Sequence, residues 1–252
     1  MSENHYYEQK SHSTSYLIPF FKKYVPHFEN LRILEVGCAE AGFLDSLHEL
    51  GMDATGLELE DSRVRIAKEK NPALTVFVGD ITDKNVAGRL GGPFDLVVMR
   101  DVIEHIPDKM AAFSMLNKLL KIGGYLYTTF PPRFSPLAGH QQNGQSILRF
   151  VPYLHILPEG MIKTLGKIFR EKSSLIEHVI LNYKIGLSIR SFEGYCSMFG
   201  FEPVVKELFL FRPIYETRFG VTPIKIPHIP SIRECIALGC ECLSRKGGEG
   251  GC

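Results

Sequence analysis

The stretch Arg32-Ile-Leu-Glu-Val-Gly-Cys-Ala-Glu-Ala-Gly42 decides the fold. Its first half, residues 32–36, is mostly apolar and ends at a glycine, which is typical of a short strand buried on both faces. Its second half is rich in small residues, which let the chain turn sharply and let backbone N–H groups approach a ligand closely. Residues 42–50 then place apolar side chains on one helical face, and Gly51 ends that helix. The stretch therefore predicts a strand, a ligand-binding turn and a helix.

The same alternation of strand and helix continues along the chain. Further strands are expected at residues 54–59, 74–78, 94–99 and 125–130, with helices at 62–70 (Asp61 as its N-cap) and 107–120. Such βαβ units build a mostly parallel, doubly wound sheet. A helix at 191–198 and closing strands at 204–211 and 235–243 complete an expected Rossmann-like, seven-stranded α/β fold.

The segment after the fifth strand breaks the alternation, because it has no clear strand and carries helical stretches at 161–170 and 174–182. An insertion there lies at the carboxyl edge of the sheet, where ligands of such folds bind, so it is a candidate substrate lid. We expect a single domain with five parts: an N-terminal cap (1–30) with a short helix at 13–24, a core (31–132), the lid (133–187), a closing helix and strands (188–245), and a flexible tail (246–252).

Composition excludes several classes of protein. The chain is 44% hydrophobic and 23% charged, and its formal net charge of +1 gives no general attraction to nucleic acid. No run of 18 apolar residues is present, and the polar N-terminus lacks the apolar core of a secretion signal, so a cytoplasmic protein is expected. The six cysteines have no zinc-site spacing and are expected to be reduced thiols, with a metal or a pairing at Cys240-x-Cys242 as the alternative.

Acidic residues follow the second, third and fourth strands. Glu58 lies about 20 residues after Gly37, where a carboxylate can accept hydrogen bonds from both hydroxyls of a ribose. Gly79-Asp80-Ile81 follows the third strand, and Phe94-Asp-Leu-Val-Val-Met-Arg-Asp-Val-Ile-Glu-His-Ile-Pro-Asp108 contains the fourth. With residues 33–42, Gly56-Leu-Glu58 and Gly123-Gly-Tyr-Leu-Tyr-Thr-Thr-Phe130, they form five motifs in order. This set resembles the class I S-adenosylmethionine-dependent methyltransferases, in their type 11/12-like, small-molecule branch.

The resemblance implies the cofactor, S-adenosylmethionine, and the residues that bind it. Glu35 would lie near the methionine amino group, Glu58 would bind the ribose and Asp80 would meet the exocyclic amine of adenine. Ala39 and Ala41 stand where the family usually has glycine. The complete expected cofactor set is Glu35, Gly37, Cys38, Gly42, Glu58, Leu59, Asp80, Ile81 and Arg100.

Two acidic and two histidine side chains leave the same edge of the expected sheet. Asp101, Glu104 and His105 follow the fourth strand, and His140 follows the fifth. They are a sensible shell for a divalent cation such as Mg²⁺, which would lower the pKa of an acceptor hydroxyl. Their arrangement resembles the acid-x-x-Glu-His motif of the metal-using ubiquinone-biosynthesis and small-RNA 2′-O-methyltransferases, with Asp101 in place of glutamate. The alternatives are His105 and His140 as catalytic residues without a metal, with His140 as general base, and a purely structural or substrate-orienting His140.

The expected activity is methyl transfer to a small-molecule acceptor, with oxygen as the favoured atom. Residues 150–158 are apolar, and Ile162, Leu165, Ile168 and Phe169 recur at helical spacing beside basic residues. This pattern indicates a lid helix packed on the core, or peripheral contact of residues 150–170 with a membrane or lipid-like substrate. A methyltransferase acting on nucleic acid or protein, and a catalytically silent S-adenosylmethionine-binding regulatory protein, are the alternative functions. The oligomeric state is left open.

Overall fold

The apolar runs of the sequence form adjacent strands of one sheet in the computed structural model, which describes residues 2–230 and 232–248. The strands are β1 (Ile33–Val36), β2 (Ala54–Glu58), β3 (Thr75–Val78), β4 (Phe94–Arg100), β5 (Leu120–Phe130), β6 (Phe201–Phe211), β7 (Ile224–Ile226) and β8 (Gly239–Lys246). Their order in the sheet is β3-β2-β1-β4-β5-β8-β6-β7. The first five pair in parallel, and β8 runs antiparallel between β5 and β6.

The Rossmann-like α/β prediction is confirmed, with one strand more than expected. The extra strand, β7, has three residues and pairs antiparallel with β6 at the edge of the sheet. A strand this short gives almost no periodic signal. Several strand starts also differ from the expected ones: β5 begins at Leu120 rather than at 125, β6 at Phe201 rather than at 204, and β8 at Gly239 rather than at 235.

Helices cover both faces of the sheet. They are α1 (Ser2–His12), α2 (Ile18–Tyr24), α3 (Gly42–Glu49), α4 (Asp61–Lys70), α5 (Val86–Leu90), α6 (Lys109–Leu119), α7 (Glu159–Ile168), α8 (Ser173–Ile185), α9 (Ile189–Met198), α10 (Pro213–Phe219) and α11 (Arg233–Ile236). On one face α2 and α3 bury Phe21 and Phe43 against strand residues such as Tyr127. On the other, α6 and α9 bury Phe113 and Phe192. Burial on both faces explains why the central strands are continuously apolar.

The N-terminal residues of α4 and α6 show how well helix caps could be predicted from the sequence. Asp61 is the first residue of α4 rather than its N-cap, and the actual cap, Glu60, makes no side-chain capping bond. In contrast, Asp108 caps α6 in the usual way, because its carboxylate accepts a hydrogen bond from the backbone N–H of Ala111 at 2.9 Å.

The N-terminal segment is a nearly continuous helix rather than a short cap at 13–24. A π-helical turn, Ser13–Leu17, joins α1 to α2. The helix packs on the turn after β1: a Cβ added to Gly42 would lie 2.3 Å from the carbonyl oxygen of Tyr6. The Gln9 side-chain oxygen also accepts a hydrogen bond from the Gly42 N–H at 3.0 Å. Only glycine at position 42 allows this close approach.

The insertion forms a small core of its own beside the carboxyl edge of the sheet. Residues of α7, α8 and the preceding loop make up this core: Leu148, Leu154, Ile162, Ile176, Val179 and Ile180. Lys109 anchors the insertion to the core domain, because its ammonium group donates to the carbonyls of Ile106 and Ile185, each at 2.6 Å.

The last strand extends beyond its expected end at residue 243. Lys246 belongs to β8, and the Gly247 N–H donates to the Gly200 carbonyl at 2.8 Å. Residues 249–252, including Cys252, lie outside the described residues. The five described cysteines are free thiols. Within the described ranges, no helix combines the length and the apolar character needed to cross a membrane.

Candidate active site

A cavity of about 910 Å³ lies at the carboxyl ends of the central strands. Ligand sites in proteins usually measure about 300–1,000 Å³, so this cavity lies near the upper end of that range. One end is formed by the turns after β1, β2 and β3, and it is here called the donor end, after the methyl donor that the sequence leads us to expect there. The other end is formed by the N-terminal helix, the end of β6 and the start of β8, and it is here called the acceptor end, after the expected methyl acceptor.

At the donor end, Glu58 is held rigidly by two backbone groups. Its carboxylate accepts hydrogen bonds from the N–H of Ala39 at 2.8 Å and from the N–H of Glu60 at 3.0 Å. Asp80 accepts from the N–H of Thr82 at 2.8 Å, which fixes the turn after β3. Six of the nine expected cofactor residues line the cavity: Gly37, Glu58, Leu59, Asp80, Ile81 and Arg100.

The other three expected cofactor residues, Glu35, Cys38 and Gly42, lie behind the cavity wall. Glu35 is 1% exposed, and its carboxylate is covered by the Arg100 guanidinium, whose Nε donates to it at 3.1 Å. The Cys38 sulfur points into the core beside Gly56, and the Gly42 N–H is bonded to Gln9. These residues shape the turn, and the sequence alone does not reveal which side of the wall each one occupies.

The turn after β1 adopts the conformation that its usual glycines would favour. Ala39 and Ala41 have φ angles of 51° and 63°. The left-handed region costs an L-residue about 1–2 kcal/mol, which explains why glycine is common at these positions. The two alanines preserve the turn at some cost in stability.

A cluster of one carboxyl group and two imidazoles, here called the Glu-His-His cluster, lies just past β4 and β5. One potential ligand atom from each of Glu104, His105 and His140 lies within 4.8 Å of the others. Glu104 is 4% exposed, and neither of its carboxyl oxygens has a hydrogen-bond partner within the described structure. Burial, together with the neighbouring charge of Asp101, raises the pKa of Glu104 well above its usual value. The Glu104 Oε1 lies 3.8 Å from the His105 Nε2, which is too far for a hydrogen bond. A buried carboxyl group without hydrogen-bond partners is costly, and a bound cation would remove that cost.

The two imidazoles of the cluster are held neutral. Burial, and then the neighbouring His105, lower the pKa of His140 to about 4, and burial likewise lowers the pKa of His105. A neutral imidazole has a free lone pair, so it can accept a proton or bind a metal ion. The insertion supports the cluster through Asn182 on α8, whose Nδ2 donates a hydrogen bond to the carbonyl of Gly139, next to His140, at 3.2 Å.

Asp101, the fourth expected metal ligand, is engaged elsewhere. Its carboxylate forms an ion pair with Arg212 at the end of β6 and accepts a hydrogen bond from the Thr129 hydroxyl at 3.1 Å. Although burial opposes it, the Arg212 charge lowers the pKa of Asp101. Of the four expected metal ligands, three therefore lie together, namely Glu104, His105 and His140. Asp101 and His140 both have left-handed φ angles, 55° and 57°, a strain that non-glycine residues often show at functional sites.

The acceptor end of the cavity is built from residues that sequence reasoning missed. Arg212 and Glu241 reach it from β6 and β8, and His12 reaches it from α1. The insertion contributes only His140 and Asn143 to the described lining, less than the expected substrate lid would. The one available signal was Glu241 itself, an acidic residue between two cysteines in the otherwise apolar stretch 235–243.

Comparison with known proteins agrees with this architecture. A family described as "Methyltransferase domain" matches residues 6–173, and the chain belongs to that family. The class I S-adenosylmethionine-dependent methyltransferase prediction is thereby confirmed.

Individual relatives are more distant. The chain is 27% identical over 128 residues to the ubiquinone biosynthesis O-methyltransferase of Caulobacter vibrioides, a match that covers 50% of this chain and 51% of that protein. It thus spans about half the length of the curated relative. A crystal structure of an S-adenosylmethionine-dependent methyltransferase from Mesorhizobium loti is 15% identical, covering 90% of this chain and 96% of that one with a TM-score of 0.56. One from Archaeoglobus fulgidus is 14% identical, covering 91% and 93% with a TM-score of 0.55. At these identities the two structures support the fold alone.

Proposed function

We propose that the protein transfers a methyl group from S-adenosylmethionine to a small-molecule acceptor, with oxygen as the favoured atom. The observation that carries the proposal is a single cavity in which the fixed Glu58 carboxylate and the Glu-His-His cluster both line or border the same space. The match to an O-methyltransferase of Caulobacter vibrioides favours oxygen.

In this proposal the chain mainly aligns the two reactants. Glu58 would bind the ribose hydroxyls and Asp80 the adenine amine, since both carboxylates line the cavity. Methyl transfer is a direct displacement, so alignment and the exclusion of water supply most of the rate. When the acceptor is a hydroxyl group, its proton must also leave, and His140, which lines the cavity, is the proposed proton acceptor.

The Glu-His-His cluster also fits a divalent cation, which Glu104, His105 and His140 would hold. Its support is the carboxyl group without hydrogen-bond partners beside two neutral imidazoles. With Asp101 paired to Arg212, the donor set of two nitrogens and one carboxylate suits a transition-metal ion better than the Mg²⁺ expected from four ligands. When bound, such an ion lowers the pKa of an acceptor hydroxyl.

Glu58→Ala is expected to weaken S-adenosylmethionine binding by about 10-fold or more, because it removes two charge-assisted hydrogen bonds to the ribose. Isothermal titration with S-adenosylmethionine measures the change. Glu60→Ala is the matched control, because Glu60 lines the same end but its carboxylate, within the described structure, bonds the half-buried Arg63. Unchanged affinity in Glu58→Ala would show that the ribose assignment is wrong.

We further propose that residues 150–170 contact an anionic membrane surface. Phe150, Met161 and Ile168 are 66%, 51% and 65% exposed, and the exposed cations Lys167 and Arg170 lie beside them. Apolar side chains flanked by cations are typical of helices that lie in a membrane interface.

The membrane prediction is tested by co-sedimentation with lipid vesicles. The protein is expected to bind vesicles that contain phosphatidylglycerol and not pure phosphatidylcholine vesicles. The double variant Phe150→Ser, Ile168→Ser should lose about fivefold or more of that binding. Phe219→Ser, which changes an equally exposed residue outside the segment, should bind as the parent does. Equal sedimentation of the parent protein with and without vesicles would contradict the proposal.

A further inference from the structure

Glu241 is a buried carboxyl group at the acceptor end that the steps above do not use. It is 3% exposed, lines the cavity and lies in register with Thr129 on β5 and Glu207 on β6. The Tyr16 hydroxyl donates to its two oxygens at 2.9 Å and 3.1 Å. Burial raises the pKa of Glu241 to about 7 even though Tyr16 and Tyr127 stabilise its charged form. A carboxyl group is thus kept in a place where its charge is costly, at the wall of a ligand cavity.

Tyr16, the hydrogen-bond partner of Glu241, lies in an unusual backbone conformation. Tyr16 lies in the π-helical turn Ser13–Leu17. Such turns are rare and occur frequently at functional sites, because the extra residue per turn changes the direction of the side chains. Here the Tyr16 hydroxyl reaches Glu241, and its ring stacks on His12 with centroids 5.3 Å apart.

The charges around the acceptor end are already balanced, with Glu241 as the exception. Each arginine that lines this part of the cavity is paired with a carboxylate. The pairs are Arg100 with Glu35, Arg212 with Asp101, and Arg218 with Glu8. His12 is neutral, because burial lowers its pKa to about 3. Among the described residues, Tyr16 is the hydrogen-bond partner of the Glu241 carboxyl group, which has no ion-pair partner, although the charges of Arg212 and Lys225 also lower its pKa. This end of the cavity therefore favours a proton donor or a cation over an anion.

We propose that Glu241 binds the methyl acceptor, through a hydrogen bond that its carboxylate accepts from an amine or hydroxyl group of that acceptor. This inference rests on the proposed methyl transfer. The reacting hydroxyl lies beside His140, and the second group reaches Glu241. Glu104 and His105 of the cluster follow β4, and β5 separates β4 from β8, so two strand spacings, about 10 Å, separate the strand before the cluster from the strand of Glu241. The acceptor class is a small molecule with a reacting hydroxyl at one end and an amine or hydroxyl at the other.

The proposal is tested with four phenols of matched shape whose second groups differ. Tyramine carries an amine, tyrosol a hydroxyl, para-ethylphenol neither, and para-hydroxyphenylacetate a carboxylate. Their binding to the full chain saturated with S-adenosylhomocysteine is measured by isothermal titration. Tyramine is expected to bind about 10-fold or more tightly than para-hydroxyphenylacetate, with tyrosol between them. Equal binding of the four, or binding of none, would overturn the proposal.

Variants test whether Glu241 causes the preference for tyramine over the other phenols. Glu241→Gln is expected to weaken tyramine binding about 10-fold or more and to change para-ethylphenol binding less than about threefold. Tyr16→Phe should reduce the same preference, and it provides a second reading if Glu241→Gln folds poorly. Glu207→Gln is the matched control, because Glu207 is the register neighbour of Glu241 but pairs with Lys225 and lies outside the cavity lining. A tyramine preference that persists in both Glu241→Gln and Tyr16→Phe would contradict the assignment.

A separate measurement of S-adenosylmethionine binding distinguishes failure of the proposed methyl transfer from failure of the proposed role of Glu241. If the parent protein does not bind S-adenosylmethionine, the proposed methyl transfer is wrong. If it binds S-adenosylmethionine but shows no preference among the phenols, only the role of Glu241 is wrong.

Discussion

Glu104→Gln is expected to lower the affinity for a divalent transition-metal ion by about 100-fold or more and to lower methyl transfer comparably. Glutamine keeps the shape of the side chain but removes the negative charge that the cation would neutralise. The measurements are the metal content of the purified protein by mass spectrometry, and titration of the chelator-treated protein with Mn²⁺, Zn²⁺ and Mg²⁺. Chelation of the parent protein should abolish most turnover, and the transition-metal ions should restore it better than Mg²⁺ does.

His178→Gln is the matched control for that experiment. The His178 ring lies 6.1 Å from the His140 ring and 6.4 Å from the His105 ring, between centroids, but it is not part of the Glu-His-His cluster. It should keep the metal content of the parent. If the purified protein carries no metal and chelators leave its turnover unchanged, His140 serves as a general base or substrate-orienting residue and the cation proposal is wrong.

Gly37→Ala is expected to abolish measurable cofactor binding, with a loss of about 100-fold or more in affinity and about 2–4 kcal/mol in stability. Two effects combine at this position. The φ angle of Gly37 is 70°, and an added Cβ would lie 2.2 Å from a methyl group of Val102. Val102 lines the cavity directly after Asp101, so displacing it disturbs the donor end. Isothermal titration with S-adenosylmethionine and chemical denaturation measure the two losses.

Two further variants separate those effects. Gly51 has a φ of 73° and nothing within 4 Å of an added Cβ, so Gly51→Ala should show the backbone cost alone, about 1 kcal/mol, with normal cofactor binding. Adding Val102→Ala to Gly37→Ala removes the methyl groups that clash and should restore part of the affinity. Full cofactor affinity in Gly37→Ala would mean that the turn after β1 does not hold the cofactor.

The core strands and the donor end were predictable because their signals are local. The short apolar runs of β1 and β4 require burial on both faces, which only a sheet covered by helices supplies. The positions of Glu58 and Asp80 follow from the same rule, because every parallel strand ends at one edge. Ala39 and Ala41 could be recognised as replacements for glycine, and the structure gives them the backbone angles that explain this.

The acceptor end was not predictable, because it depends on contacts between distant parts of the chain. The ion pair between Asp101 and Arg212 joins residues 111 positions apart, and it removes Asp101 from the expected metal shell. Tyr16 and Glu241 are 225 positions apart. The polar sequence of α1 gave no sign that the helix lines a cavity, since its inward face carries the polar residues Gln9 and His12.

The nearly continuous N-terminal helix connects the two ends of the cavity. Gln9 bonds the turn that forms the donor end, and Tyr16, less than two helical turns further on, bonds Glu241 at the acceptor end. A ligand that displaces this helix at one end therefore changes the shape of the other. Thermodynamic reciprocity requires that any such coupling be equal in both directions, so cofactor would alter acceptor affinity by the same factor by which acceptor alters cofactor affinity. In the proposed methyl transfer, the same helix would therefore lie beside both the cofactor and the acceptor.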